Sequence, residues 1–160
     1  MQQINIKQFI PAVILLALIF IPAAGCDQGE PGFYTTRVPI LFKDLKNVES
    51  LHLELEFDDR IITPVAVEKA NGVPGIFTYG FESTSNVVIG IARAHMNGSG
   101  TLAYISFKVN ASTVLPTDLV LSNVIAVNAE TKKKIDVDWI NGSINVEEKT
   151  FTAPEIVPLQ

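Results

Sequence analysis

The chain has 160 residues, 48% of them hydrophobic, with one cysteine, two histidines and a formal net charge of −5. Such a length fits a single domain. The acidic balance argues against nucleic acid or anionic lipid as a partner, because both reward clustered Lys and Arg.

Lys7 precedes an apolar run from Phe9 to Ala24 that only Pro11 and Pro22 interrupt. The run is shorter than the about 20 residues an ordinary membrane span needs, and it reads as an export signal over residues 1–25. Ala23, Ala24, Gly25 and Cys26 resemble the lipobox of bacterial lipoproteins, in which small residues admit the peptidase and the thiol takes a diacylglycerol. A signal peptide with an incidental cysteine and an uncleaved anchor are the alternatives. Lipidation of Cys26 leaves no thiol for a disulfide, a metal or catalysis. One acyl chain binds only marginally, at about 0.8 kcal/mol per buried methylene, whereas two or three make a stable anchor. The expected location is therefore exported and lipid-anchored, on the periplasmic or cell-surface side of a bacterial membrane. Since Lys7 leaves with the signal, 11 of the 12 basic groups and all 17 acidic ones remain on Cys26–Gln160, a net charge of −6.

Polar, turn-rich DQGEPG opens the mature chain and assigns residues 26–31 to a short tether. A single domain is expected over 32–148, and a loose Pro-containing tail over 149–160. Arg37–Phe42 (RVPILF) is a first strand with Pro39 at an edge or bulge. Leu51–Phe57 is a second, with Leu51, Leu53, Leu55 and Phe57 on one side and His52, Glu54, Glu56 and Asp58 on the other. A short strand at Pro64–Glu68 precedes the turn NGVPG, and Phe77–Glu82 with Val87–Ala94 form a hairpin around STSN. NGSG breaks the chain before TLAYISFKV, whose Ala103, Ile105, Phe107 and Val109 share a face. Leu119–Val127 is long and apolar, hence buried on both faces or bent. Ile135–Trp139 and Ser143–Val146 pair around Asn141 and Gly142, with Trp139 in the core beside Ile135 and Val137. No amphipathic helix stands out. Short strands at this spacing predict an all-β, antiparallel β-sandwich.

In that arrangement PGFYTTRVPI, LELEFDDRII, GSGTLAYISFKV, LVLSNVIAVN and DWINGSINV resemble, in order and spacing, segments of the cohesin family. The resemblance covers about Gly32 to Val146 and implies a jelly-roll sandwich like that of carbohydrate-binding domains. Cohesins usually carry one more strand before the Pro-Gly, for which only Cys26–Glu30 is available. They are usually met as modules of long scaffolds, whereas this sequence shows one copy and no dockerin-like calcium loop.

Glu54 and Glu56, at i and i+2 on one strand, lie about 6.8 Å apart along the backbone. That is inside the roughly 6.5–9.5 Å separation of an inverting glycosidase pair. Such a pair must flank a bond in a cleft, however, and neighbours on an outer sheet face point together into water. His52 and His95 belong to no metal-ligand spacing. Asp58 and Asp59 read as a strand-end turn and not as part of an EF-hand. NGSG lacks the Lys and following helix of a phosphate loop. No catalytic residue, metal or cofactor is expected. Asn97, Asn110 and Asn141 each open an Asn-x-Ser triplet and read as turn or strand-end residues, and Lys132–Lys134 as a solvated turn that discourages edge pairing.

The resemblance implies a non-catalytic module whose flat face receives a dockerin, the calcium-bearing helical module fused to enzymes. By that match, outward Ser50, His52 and Glu54 contact the dockerin, with outward Thr78, Gly80 and Glu82 of the hairpin nearby. The hairpin's other side, Phe77, Tyr79 and Phe81, is expected in the core. The expected partner is a dockerin-bearing protein, such as a polysaccharide-degrading enzyme held at the cell envelope. The alternative is a module that binds polysaccharide directly through Tyr104 and Tyr79.

Overall fold

Alternating apolar and polar residues put nearly all of this chain into extended backbone, since a strand turns every second side chain to one face. The structure, a computed structural model, describes residues 32–159; the expected signal peptide, the lipidation site Cys26 and the tether 26–31 lie outside the described residues. Over the described residues eleven strands follow one another: β1 Phe33–Glu56, β2 Ile62–Lys69, β3 Ile76–Ser83, β4 Asn86–Ala92, β5 Met96–Asn110, β6 Thr117–Asn128, β7 Lys134–Ile135, β8 Val137–Ile140, β9 Gly142–Asn145, β10 Thr150–Thr152 and β11 Glu155–Pro158. Among the described residues there is no helix.

Strand β1 serves both layers of the sandwich. Its first half pairs with β5, which pairs with β2, and on the other side with β11 and then β8. Its second half lies between β4, followed by β3, and β6, followed by β9 and β10. All these pairings are antiparallel except β1 with β11, which is parallel. The two expected strands Arg37–Phe42 and Leu51–Phe57 are thus one, bent at Lys43–Asn47. Asp44 and Asn47 adopt left-handed φ values of 50° and 51° there, a conformation that short polar side chains tolerate.

Between the layers, Val38 and Ile40 of β1, Ile105, Phe107 and Val109 of β5 and Leu53 and Leu55 of β1 are fully buried. Phe57 meets Phe107 edge to face at 5.3 Å. The alternation read in TLAYISFKV and LHLELEF is the alternation of this core.

Four local expectations differ from the structure. NGSG does not break the chain: Asn97–Gly100 continues β5 along the bend of β1, with Gly98 opposite Leu45 and Gly100 opposite Phe42. A Cβ on Gly100 would stand 3.3 Å from the Phe42 ring, which is why a glycine suits this pairing. Residues 137–140 and 142–145 form no hairpin, because β8 joins β11 while β9 joins β6. Gly142 makes that crossover, where a Cβ would lie 2.3 Å from the Thr152 carbonyl oxygen. Trp139 is not core: it stands 37% exposed on β8, an edge strand with a neighbour on one side alone.

Nor is the tail loose. Pro154 accepts a bond from Leu41 N at 2.9 Å, and β11 fills the slot between β1 and β8 with Ile156 fully buried. Ile156→Ala is expected to cost about 2–5 kcal/mol of stability in denaturant unfolding, and removal of residues 153–160 to destabilise the fold more. A loose tail would leave the unfolding midpoint unchanged in both.

Candidate functional site

Residues directly opposite on antiparallel strands share a side of the sheet, so the register fixes which side chains form the outer face around β1. His52 is opposite Gly90 of β4 and Ile125 of β6, and Gly90 is in turn opposite Thr78 of β3. Glu54 is opposite Val88 and Ser122, and Val88 opposite Gly80. The structure therefore brings Ser50, His52, Glu54, Thr78 and Gly80 onto one outer face, with Glu82 at the turn end of β3.

Ser50, His52, Thr78, Gly90, Ile125 and Val127 line a shallow groove of about 260 Å³ there. Gly90 creates it: a Cβ would come 2.8 Å from Thr78 Oγ1, which donates to the Gly90 carbonyl at 3.3 Å.

Strand β6 supplies what the sequence left open. Leu119 and Leu121 point inward, then Asn123 takes φ 47° and the register with β1 shifts, after which Val124 and Ala126 point inward. An extra residue in one strand reverses the alternation and re-aims the side chains around it. The apolar run LVLSNVIAV is bent, and Ile125 and Val127 emerge outside. Ile76 and Ile125 are 53% and 43% exposed on this face, so it is not simply a solvated charged sheet. The one hint in the sequence was an Asn amid apolar residues, a type that tolerates the left-handed conformation.

The same bulge fixes the carboxylate. Asn123 Nδ2 donates to Glu54 Oε1 at 2.9 Å, Asn86 Nδ2 donates to Oε2 at 3.2 Å, and His52 Nε2 lies 3.6 Å from Oε1. Bonds to the charged form, first from Asn123 and then from Asn86, hold the Glu54 carboxyl below its ordinary value. Glu56 accepts from Ser122 Oγ at 2.7 Å. Asp58 is gripped by Arg60, whose Nη2 lies 2.6 Å from the carboxylate, and the Asp58 pKa falls to about 2. Asp59 accepts from Thr84 Oγ1. Asp58 and Asp59 thus serve the turn after β1.

The two tyrosines of the polysaccharide alternative are not brought together. Tyr104 lies on β5 in the opposite layer, its ring covered by the Arg37 guanidinium 3.7 Å from the centroid. Tyr79 lies on edge strand β3 with Phe77 and Phe81, opposite Ile89 on the inner side. Phe77 packs partly buried against the core, as expected of this side, but Tyr79 and Phe81 are about half exposed, because among the described residues β3 has no further neighbour. Asn97, Asn110 and Asn141 each accept a backbone N–H through Oδ1, from Asn47, Ser112 and Leu121. Lys132 pairs with Glu49 at 2.7 Å.

The Cohesin domain family model matches residues 29–146. Among solved structures, the non-cellulosomal cohesin of the archaeon Archaeoglobus fulgidus is similar at 20% identity and TM-score 0.61, over 81% of this chain and 85% of that one. The seventh ScaB type I cohesin of Pseudobacteroides cellulosolvens is similar at 15% identity and TM-score 0.59, over 82% and 86%. The sixth cohesin of Acetivibrio cellulolyticus scaffoldin B, solved with a Cel5 dockerin mutant, is similar at 14% identity and TM-score 0.54, over 82% and 92%. No curated protein sequence matches the chain.

In a carboxyl-resolved NMR titration Glu54 is expected to titrate below 4.5, and Asn123→Ala to move it upward. A folded value below the unfolded one adds stability above the unfolded value, and that stability is lost as pH falls through the folded value. The Asn123→Ala protein is therefore expected to lose less stability than the parent as pH drops below about 4.5. An unshifted Glu54 would refute the clamp.

Proposed function

We propose, for a chain that belongs to the cohesin family, that the outer face around His52 and Glu54 receives a dockerin-bearing protein. A cohesin domain is a non-catalytic protein-binding module, and the groups here suit that role: a fixed carboxylate, a half-exposed imidazole and apolar side chains on a flat surface. The observation that carries the placement is the exposure of Ile76 and Ile125 beside the His52–Glu54 pair. Apolar area rimmed by polar groups, once desolvated, supplies affinity, and the charges set orientation. Ser50, Thr78, Gly80 and Glu82 border the contact. Glu54 and Glu56, both acidic, favour a partner that presents Lys or Arg.

The partner class we favour is a polysaccharide-degrading enzyme carrying a dockerin, held at the envelope by acyl chains on Cys26. Support for the anchor is the AAGC sequence after an apolar run. Direct polysaccharide binding is the weaker reading, since the Tyr104 ring is already covered by Arg37.

Two experiments test this. Calorimetry with a dockerin from the same organism is expected to show that His52→Ala with Glu54→Ala, or Ile125→Asp alone, weakens capture at least tenfold, about 1.4 kcal/mol. Val65→Lys on the opposite layer is expected to leave it intact, and unchanged capture by the first two variants would remove the site from this face. Labelled palmitate is expected to enter the protein in cells and to be absent after Cys26→Ala; labelling that persists in the variant would refute lipidation at Cys26.

A further inference from the structure

Among the described residues five strands have a neighbour on one side alone: β2, β3, β7, β8 and β10. Such edges invite another chain unless something blunts them. Strand β2 carries Pro64, a bulge between Pro64 and Ala66, and Glu68 and Lys69. Strand β7 has two residues including Lys134, β8 has four including Asp138, and β10 has three. Strand β3 has none of these devices over Ile76–Phe81, which is regular, uncharged and free of proline; its only bulge and its only charge, Glu82, come at the turn end.

Its sequence is also symmetric about Tyr79. Phe77 and Phe81 stand two residues to either side, with ring centroids 6.3 and 5.9 Å from Tyr79. Two copies of β3 laid antiparallel about Tyr79 place Phe77 opposite Phe81, Thr78 opposite Gly80 and Glu82 opposite Ile76. The single acid thus meets an isoleucine and not its own copy, and no like charges oppose. A Cβ at Gly80 meets nothing within 4 Å, so the partner's Thr78 has room. The half-exposed aromatic side chains point toward the inner side, where Phe81 and Pro64 of β2 border an open cleft. A second copy brings its own three rings into that space.

We propose that the β3 edge is a self-association surface, joining two copies of this chain by antiparallel β3–β3 pairing about Tyr79. The contact is isologous, so it closes at two copies. The layers then run continuously through β4, β3 and their symmetry mates, and two His52–Glu54 faces lie on the same side of one sheet. A chain with one recognition face becomes bivalent, and two linked sites raise avidity without any new contact to the partner.

Sedimentation equilibrium of the full chain in density-matched detergent micelles tests this, over a hundredfold range of protein concentration. The parent is expected to show a monomer–dimer equilibrium, and Tyr79→Lys, which sets two ammonium groups against each other on the axis, to raise its dissociation constant at least tenfold. Val65→Lys on β2 is expected to leave it unchanged, and circular dichroism to show both variants folded. A parent that stays monomeric throughout, or a folded Tyr79→Lys protein that dimerises as the parent does, overturns the proposal. If Tyr79→Lys does not fold, Thr78→Pro and Gly80→Lys take its place, and parent-like dimers in whichever of them folds also overturn it.

Discussion

The bend in β1 is the constraint on which the other strands depend. A single strand of 24 residues enters one layer, turns at Lys43–Asn47 and returns through the other. Each half is then a central strand to which the remaining strands add. The turn leaves backbone groups that must be satisfied, and polar side chains take up two of them: Asp44 N donates to Ser99 Oγ and Asn47 N to Asn97 Oδ1, while the Asn47 side chain donates through Nδ2 to Glu130 Oε1. Ala129 N closes the set on the Asn47 carbonyl at 2.6 Å. These partners come from β5 and from the loop after β6, so the bend ties the two layers together at one end.

From that arrangement the site inherits its rigidity. His52 and Glu54 sit mid-sheet, between β4 and β6, where backbone bonds on both sides hold the strand. The Asn123 bulge then turns a feature of the fold into a feature of the site, exposing Ile125 and delivering an amide to Glu54 in one step. Glu54 and Glu56 have catalytic spacing, but Glu54 has the wrong electrostatics for the acid of such a pair. A general acid needs its pKa raised by burial, whereas bonds from Asn123 and Asn86 lower that of Glu54. What remains is a fixed charge on an open face, suited to orienting a partner.

The core was legible wherever alternation was strict, as in Leu51–Phe57 and Leu102–Val109, because a one-residue slip there would expose every apolar side chain. Outward His52 and Glu54 followed from the same pattern. Ile125 and Val127 did not, since one residue in a left-handed conformation at Asn123 reverses the phase of all that follows. Strand β11 was hidden by its two prolines: Pro154 stands just before the strand and Pro158 closes it, which a short strand tolerates at its ends. Trp139 failed because periodicity says which way a side chain points, and how many strands lie beyond it decides whether it is covered. Joining Arg37–Phe42 to Leu51–Phe57 needed the pairing partners along the bend, and those lie some 50 to 80 residues away.

The course of β1 also bears on how the face stands relative to the proposed anchor. Gly32 accepts a bond from Ala111 N, and Asn110 N donates to the Ile61 carbonyl, so the start of β1, the end of β5 and the turn after Glu56 share one end of the sandwich. The bend lies at the other end. If Cys26 is acylated as proposed, the six residues 26–31 span at most about 20 Å, and the first end then stays near the membrane. The His52–Glu54 face lies on the flat of the layer, between the two ends. Under that proposed anchoring the face would stand side-on to the membrane, where a large soluble partner could approach without the bilayer in its way.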